Sequence, residues 1–135
     1  MPQTHRDLAR RWFEEVWNAR SAETVHELMA PGARAHTEGG EVVGPDNFLQ
    51  TRAALLGAFP DIHVTVEDVV AEGDQAVVRW SAAARHTGHE LGIPASGRQV
   101  QFRGMTWMIF KEGKIVEGWD AWNLGALLET CRSAG

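Results

Sequence analysis

Residues 98–122 read RQVQFRGMTWMIFKEGKIVEGWDAW, and this stretch decides the fold. Up to Phe110 large side chains stand on both alternating phases: Phe102, Thr106 and Met108 on one, Met105, Trp107 and Ile109 on the other. A period of two marks a strand, and apolar residues on both phases mean that both faces are covered. Lys111-Glu112-Gly113 then turns the chain into a second run, 114–122. A two-residue loop would require positive φ at Glu112 as well as Gly113, which glutamate tolerates poorly. The expected turn is therefore a three-residue loop with Gly113 in the left-handed position, pairing Phe110 with Lys114. That register puts Gly104, Thr106 and Met108 on one face with Val116, Gly118, Asp120 and Trp122. Two glycines beside a carboxylate hollow out space for a pocket.

Working upstream, residues 76–86 form another long strand, joined to 98–110 by a loop, 87–97, rich in Gly and Pro. Residues 62–66 alternate as well, and a phase slip at Asp68-Val69-Val70 predicts a bulge. Before Pro60 the period is helical. Thr4 caps a helix carrying Leu8, Trp12, Phe13, Val16 and Trp17; Ser21 caps a shorter one with Val25, Leu28 and Met29, stopped by Pro31-Gly32. Residues 33–37 are too short to classify by period. Gly39-Gly40 marks a turn, and Gly44-Pro45-Asp46-Asn47 opens a third helix bearing Phe48, Leu49, Leu55, Leu56 and Phe59. Downstream, Asn123 caps a last helix with Leu124, Leu127 and Leu128. Helices first and an antiparallel meander afterwards give an α+β fold with helices on one face of a curved sheet. The 135 residues fit one domain, 1–135.

Composition narrows the function. The formal charge is −5 with no Lys/Arg run, which argues against nucleic-acid binding. Cys131 is the single cysteine, so neither an internal disulfide nor a thiolate cluster is expected. His86-Thr87-Gly88-His89-Glu90 lacks the helical spacing of a zinc motif, and no metal is expected. No apolar stretch spans a bilayer, and the chain enters its first amphipathic pattern without a leader, so a cytoplasmic protein with no membrane partner is expected. Six Trp and no Tyr suggest a hollow lined by indoles, a dimer interface, or both.

Asp120 is the candidate catalytic group. Sharing a face with Val116 and Trp122, it is expected to be partly desolvated, with a raised pKa suited to proton transfer near neutrality. Two structural readings stand beside this one: a cap for the last helix, or an ion pair with Arg79 or Arg103. His36 and His86 lie at element ends that can open onto the same cavity and are the candidate hydrogen-bonding partners, with Thr106 behind them; the alternative for each, taken singly, is a satisfied structural histidine. Trp12, Trp80, Trp107 and Trp122 are candidate walls, parity excluding some of them.

Phe59-Pro60-Asp61-Ile62 leading into a strand, Val78-Arg79-Trp80, His86-Thr87-Gly88, Leu91-Gly92-Ile93-Pro94 with Ser96-Gly97-Arg98, and residues 113–120 together resemble the SnoaL-like polyketide cyclases of the nuclear-transport-factor-two-like superfamily. The resemblance covers nearly the whole chain, with 44–52 similar to the family's third helix. It implies a cone-shaped fold enclosing a cavity, a homodimer, and intramolecular aldol ring closure without metal or organic cofactor. It also implies that Asp120 is the acid/base. Gly118 stands where family members often carry a histidine, and Thr106 near the position of another. The expected ligand is a small apolar or polycyclic carbonyl compound, bound by Trp80, Thr106, Met108, Gly118, Trp122, Phe48 and Trp12. The alternatives are a cofactor-free hydroxylase or epoxide hydrolase of the same fold, and a non-catalytic ligand-binding or dimerisation module.

Overall fold

The computed structural model describes residues 4–132. The start of the chain, where no leader is expected, includes residues 1–3 outside that range. The elements run α1 (His5–Arg11), a π-helical continuation (Trp12–Asn18), α2 (Ala22–Leu28), β1 (Met29–Thr37), β2 (Gly40–Val43), α3 (Pro45–Ala58), β3 (His63–Glu72), β4 (Gln75–Arg85), β5 (Gln99–Lys111), β6 (Lys114–Trp122) and α4 (Leu124–Arg132). One six-stranded sheet has the order β2-β1-β6-β5-β4-β3. The pairs from β3 to β6 are antiparallel, as the meander predicts, while β1 lies parallel to β6. The helix α1 and its continuation pack on β3 and β4, and α2 and α3 pack on β1, so the helices close over one concave face.

Alternation built the long strands. In β4, Ala76, Val78, Trp80, Ala82 and Ala84 are all buried on that face, each large apolar side chain contributing ~1.5–3 kcal/mol by leaving water. The expected slip in β3 is a bulge in which Glu67 has no partner between Val66↔Trp80 and Asp68↔Arg79.

The β5–β6 turn departs from expectation. Lys111 pairs with Lys114 around a two-residue turn, with Glu112 at φ 54 and Gly113 at φ 77. Glu112 therefore adopts the left-handed conformation that argued for a longer loop. By itself this turn would set Asp120 opposite Met105, on the outer face. Instead Phe110 pairs with Ile115 and Ile109 with Glu117, leaving Val116 as a bulged residue. The bulge moves the later pairing along by one, so Thr106 faces Asp120, Met108 faces Gly118 and Gly104 faces Trp122. The expected shared face holds, with Val116 taken out of it.

Two other elements also differ. Met29 is the first residue of β1, not the end of α2, and the strand runs through Pro31-Gly32 to Thr37. The register with β6 shifts between Met29 and Arg34, so the missing N–H of Pro31 is not called on by the ladder. The first helix widens after Arg11, with Ala19 N–H donating to Glu14 O at 2.9 Å, the i→i+5 spacing of a π-helix. Guanidinium groups cover its C-terminal carbonyls. Arg52 donates to Val16 O at 2.8 Å, and Arg20, itself at φ 62, donates to the carbonyls of Trp17, Pro60 and Ile62.

Candidate active site

The concave face encloses a cavity whose walls are mainly apolar. Trp12, Phe13 and Trp17 come from the π-helical segment, which sets all three toward the same space. Phe48 and Leu55 come from α3, Trp80 and Ala82 from β4, and Phe102, Thr106 and Met108 from β5. Gly118, Asp120 and Trp122 line it from β6. Every residue expected as a wall among Trp80, Thr106, Met108, Gly118, Trp122, Phe48 and Trp12 stands around this one cavity with Asp120. Trp107 does not. It projects from the opposite face, donating to Gln75 Oε1 at 2.7 Å.

Asp120 is half-buried, reachable through the cavity but with protein around most of its carboxyl group. Thr106 Oγ1 donates to Asp120 Oδ1 at 2.7 Å, and Trp80 Nε1 donates to Thr106 Oγ1 at 3.0 Å. Burial among apolar walls pushes the Asp120 pKa up from 3.8 to about 6; the Thr106 bond holds it down, and the negative charge of Glu38 adds a smaller upward push. Neither structural reading of Asp120 is seen among the described residues. Asn123 Oδ1 caps α4 by accepting from Ala126 N–H at 2.8 Å. Arg79 and Arg103 lie exposed on the other phase of their strands.

Neither candidate histidine faces the cavity. On β1 the inward phase carries Ala33, Ala35 and Thr37, so His36 points outward. There its Nε2 lies 2.7 Å from Glu117 Oε2 and its ring stacks on Trp119 at 5.3 Å. The expectation rested on the position of His36 near an element end; with the strand unclassified, its phase was not available. His86 is 1% exposed, packed against Phe59 and outside the cavity lining. Its Nδ1 accepts the Ser96 N–H at 3.2 Å and sits 2.9 Å from Ser96 Oγ. His86 thus holds the 87–97 loop to the end of β4.

That loop borders the cavity through Leu91. Thr87 and Gly88 N–H both donate to Ala58 O, at 3.2 and 3.1 Å. A Cβ on Gly88 would lie 1.8 Å from Gly57 O, so only glycine permits this approach of loop to helix.

Sequence reasoning missed the residues at the end of β1. Thr37 and Glu38 line the cavity, with Glu38 Oε1 3.5 Å from the N–H of Leu124, while the Arg34 side chain turns outward to Glu41 at 3.0 Å. A parallel strand interrupted by Pro and Gly gives no periodic signal that would find them. Three cavity indoles, those of Trp12, Trp17 and Trp122, have no hydrogen-bond partner for their N–H among the described residues.

A curved open sheet, helices closing its concave face and one desolvated carboxylate inside define a pocket domain of the nuclear-transport-factor-two-like fold. A family model described as SnoaL-like polyketide cyclase matches residues 7–130. The chain belongs to that family. It is similar to the aklanonic acid methyl ester cyclase DnrD of Streptomyces peucetius, with 31% identity over 118 residues, covering 83% of this chain and 79% of that one. A candidate SnoaL-like polyketide cyclase from Jannaschia sp. CCS1 superimposes with a TM-score of 0.88 at 26% identity, covering 98% of each chain. AclR, a candidate hydroxylase from Streptomyces galilaeus, superimposes with a TM-score of 0.80 at 27% identity, covering 92% of this chain and 78% of that one.

Proposed function

We propose that this protein is an acid/base enzyme that needs no cofactor and closes a ring in an apolar, polycyclic carbonyl compound by intramolecular aldol addition. The observation that carries the reading is the Asp120 carboxyl, set in an apolar cavity with its pKa raised to about 6. Such a group is ionised at neutral pH yet far more basic than a solvated aspartate, which suits proton abstraction. Asp120 takes a proton from the carbon between two carbonyls of the substrate. The resulting enolate carbon attacks a second carbonyl of the same molecule, forming the new C–C bond and leaving an alkoxide. Protonated Asp120 then returns the proton to that oxygen, so the product is an isomer of the substrate.

The developing oxyanion needs a donor. With both histidines outside the cavity and the Thr106 hydroxyl engaged by Asp120, the indole N–H groups take this role. Trp122 is the candidate we assign, because it stands two residues from Asp120 on the same strand face and its N–H is unengaged.

The outer face of the sheet supports a homodimer. Met105, Trp107 and Trp119 are 52, 49 and 39% exposed there and form an apolar patch suited to a second copy of the chain. Trp107→Glu should shift the solution mass from dimer to monomer; a wild-type chain monomeric at micromolar concentration overturns this part.

The catalytic reading is tested with Asp120→Asn and a panel of polycyclic 1,3-dicarbonyl compounds. Turnover, or exchange of the acidic C–H for deuterium, should fall by roughly 10²–10⁴ while affinity changes little. A variant as active as the wild type removes Asp120 from the mechanism.

A further inference from the structure

The cavity carboxylate has two oxygens, and the surrounding hydrogen bonds treat them differently. Trp80 and Gly104 are direct partners across β4 and β5, and Val78 is opposite Thr106. The Trp80 side chain therefore reaches diagonally along β5 to Thr106, a distance an aromatic residue spans. It can do so because position 104 is glycine. A Cβ there would lie 2.7 Å from Trp80 Cζ2, and equally close to Trp122 Cβ and Ala121 O.

An indole N–H donates and never accepts. Its bond to Thr106 Oγ1 at 3.0 Å thus occupies a lone pair of the hydroxyl and fixes which way the hydroxyl proton points. That proton is directed to Asp120 Oδ1, 2.7 Å away. If Oδ1 carried the carboxyl proton instead, the Thr106 hydroxyl would lose its acceptor in a buried setting, which is costly. We propose that Thr106 is a positioning residue, its hydroxyl oriented by the Trp80 indole so that Oδ1 of Asp120 is kept as an acceptor and the carboxyl group exchanges its proton through Oδ2. Gly104 belongs to the same device, as the gap that seats the indole.

This inference rests on the proposed role of Asp120 for its catalytic meaning, but its test does not. The charged group that lines the cavity and acts on Asp120 is Glu38, while Arg34 with Glu41 and His36 with Glu117 form a cluster on the other face of the sheet. The variants below leave Glu38 unaltered.

The experiment is an NMR titration of the Asp120 carboxyl carbon in the ligand-free full chain. Thr106→Val removes the hydroxyl at nearly constant shape. Its midpoint should rise by roughly 1–2 pH units, the worth of a hydrogen bond to a charged acceptor. Thr106→Ser keeps the hydroxyl and should titrate with the wild type. Trp80→Phe frees the hydroxyl to rotate and should move the midpoint the same way by a smaller amount. The proposal is overturned if Thr106→Val titrates like the wild type, if Thr106→Ser follows Thr106→Val, or if Trp80→Phe leaves the midpoint unchanged. Because no substrate is present, failure here is separate from failure of the catalytic reading, which Asp120→Asn turnover decides.

Discussion

Replacing Asp120 with Asn should stabilise the protein, and the gain should depend on pH in a defined way. In the folded chain burial raises the Asp120 pKa from 3.8 to about 6. Between those two values the native state holds a proton that the unfolded chain has released, so stability falls as pH rises across this window. The cost is complete once pH passes the folded value. A difference of about two pH units at ~1.4 kcal/mol each sets it near 3 kcal/mol as an upper bound. Asn does not titrate, and its amide oxygen can still accept the Thr106 hydroxyl. The variant should match the wild type near pH 4 and exceed it by up to ~3 kcal/mol at pH 8. For a chain of this length that is a rise in Tm of about 10 °C. The assay is urea unfolding followed by tryptophan fluorescence at several pH values between 4 and 8. A stability difference that stays flat with pH, or a variant less stable than the wild type at pH 8, refutes the argument that the carboxylate is desolvated.

The same group should govern the pH profile of catalysis, with kcat/KM rising along an acidic limb centred near pH 6 and lost in Asp120→Asn. Glu38→Gln removes a like charge that helps keep the Asp120 pKa high, so that limb should move to lower pH; an unmoved limb separates Glu38 from the site. Trp122→Phe keeps the wall and deletes the N–H assigned to the oxyanion, so turnover should fall by roughly 10²-fold with KM little changed, and unchanged turnover places the donor elsewhere. In the 87–97 loop the outcomes should split. Leu91→Asp, at the cavity edge, should weaken ligand binding with little loss of Tm, whereas Ile93→Asp, 5% exposed, should destabilise the fold by about 3 kcal/mol. Equal melting temperatures for the two variants would show that the loop is not divided in this way.

The sequence was most legible where packing imposes a short period. The phases of β4 to β6 place Trp80, Thr106, Met108, Gly118, Asp120 and Trp122 together, and all of them line the cavity. The turn between β5 and β6 was misread because Glu112 adopts a conformation that local preference disfavours, where the pairing of two long strands outweighs it. The face was still right, since the Val116 bulge offsets the shorter turn. β1 was not legible at all. Its partner β6 is some eighty residues away and parallel, and its Pro-Gly interruption reads locally as a stop. The misplacement of His36 and the omission of Glu38 both follow from that one gap. The π-helical widening carries no signal either, because its apolar residues fit an α-helical stripe equally well.

The outward pair of His36 and Glu117 bears on how the chain avoids a wrong answer. Strand β6 offers two acidic residues of opposite phase, Glu117, which shares its face with Trp119, and Asp120, which shares its face with Gly118 and Trp122. If the β5–β6 hairpin closed without its bulge, Glu117 and Trp119 would enter the cavity and Asp120 would leave it. The slipped form would strip Glu117 of the His36 contact at 2.7 Å, pull Trp119 from its stack at 5.3 Å, and bury a carboxylate away from the Thr106 hydroxyl. His36, which reads as a reagent, is better understood as a proofreader of strand alignment. It stands outside the cavity, and its contacts with Glu117 and Trp119 add to the bulge at Val116 in favouring the alignment that admits only one of two acids three residues apart to the interior.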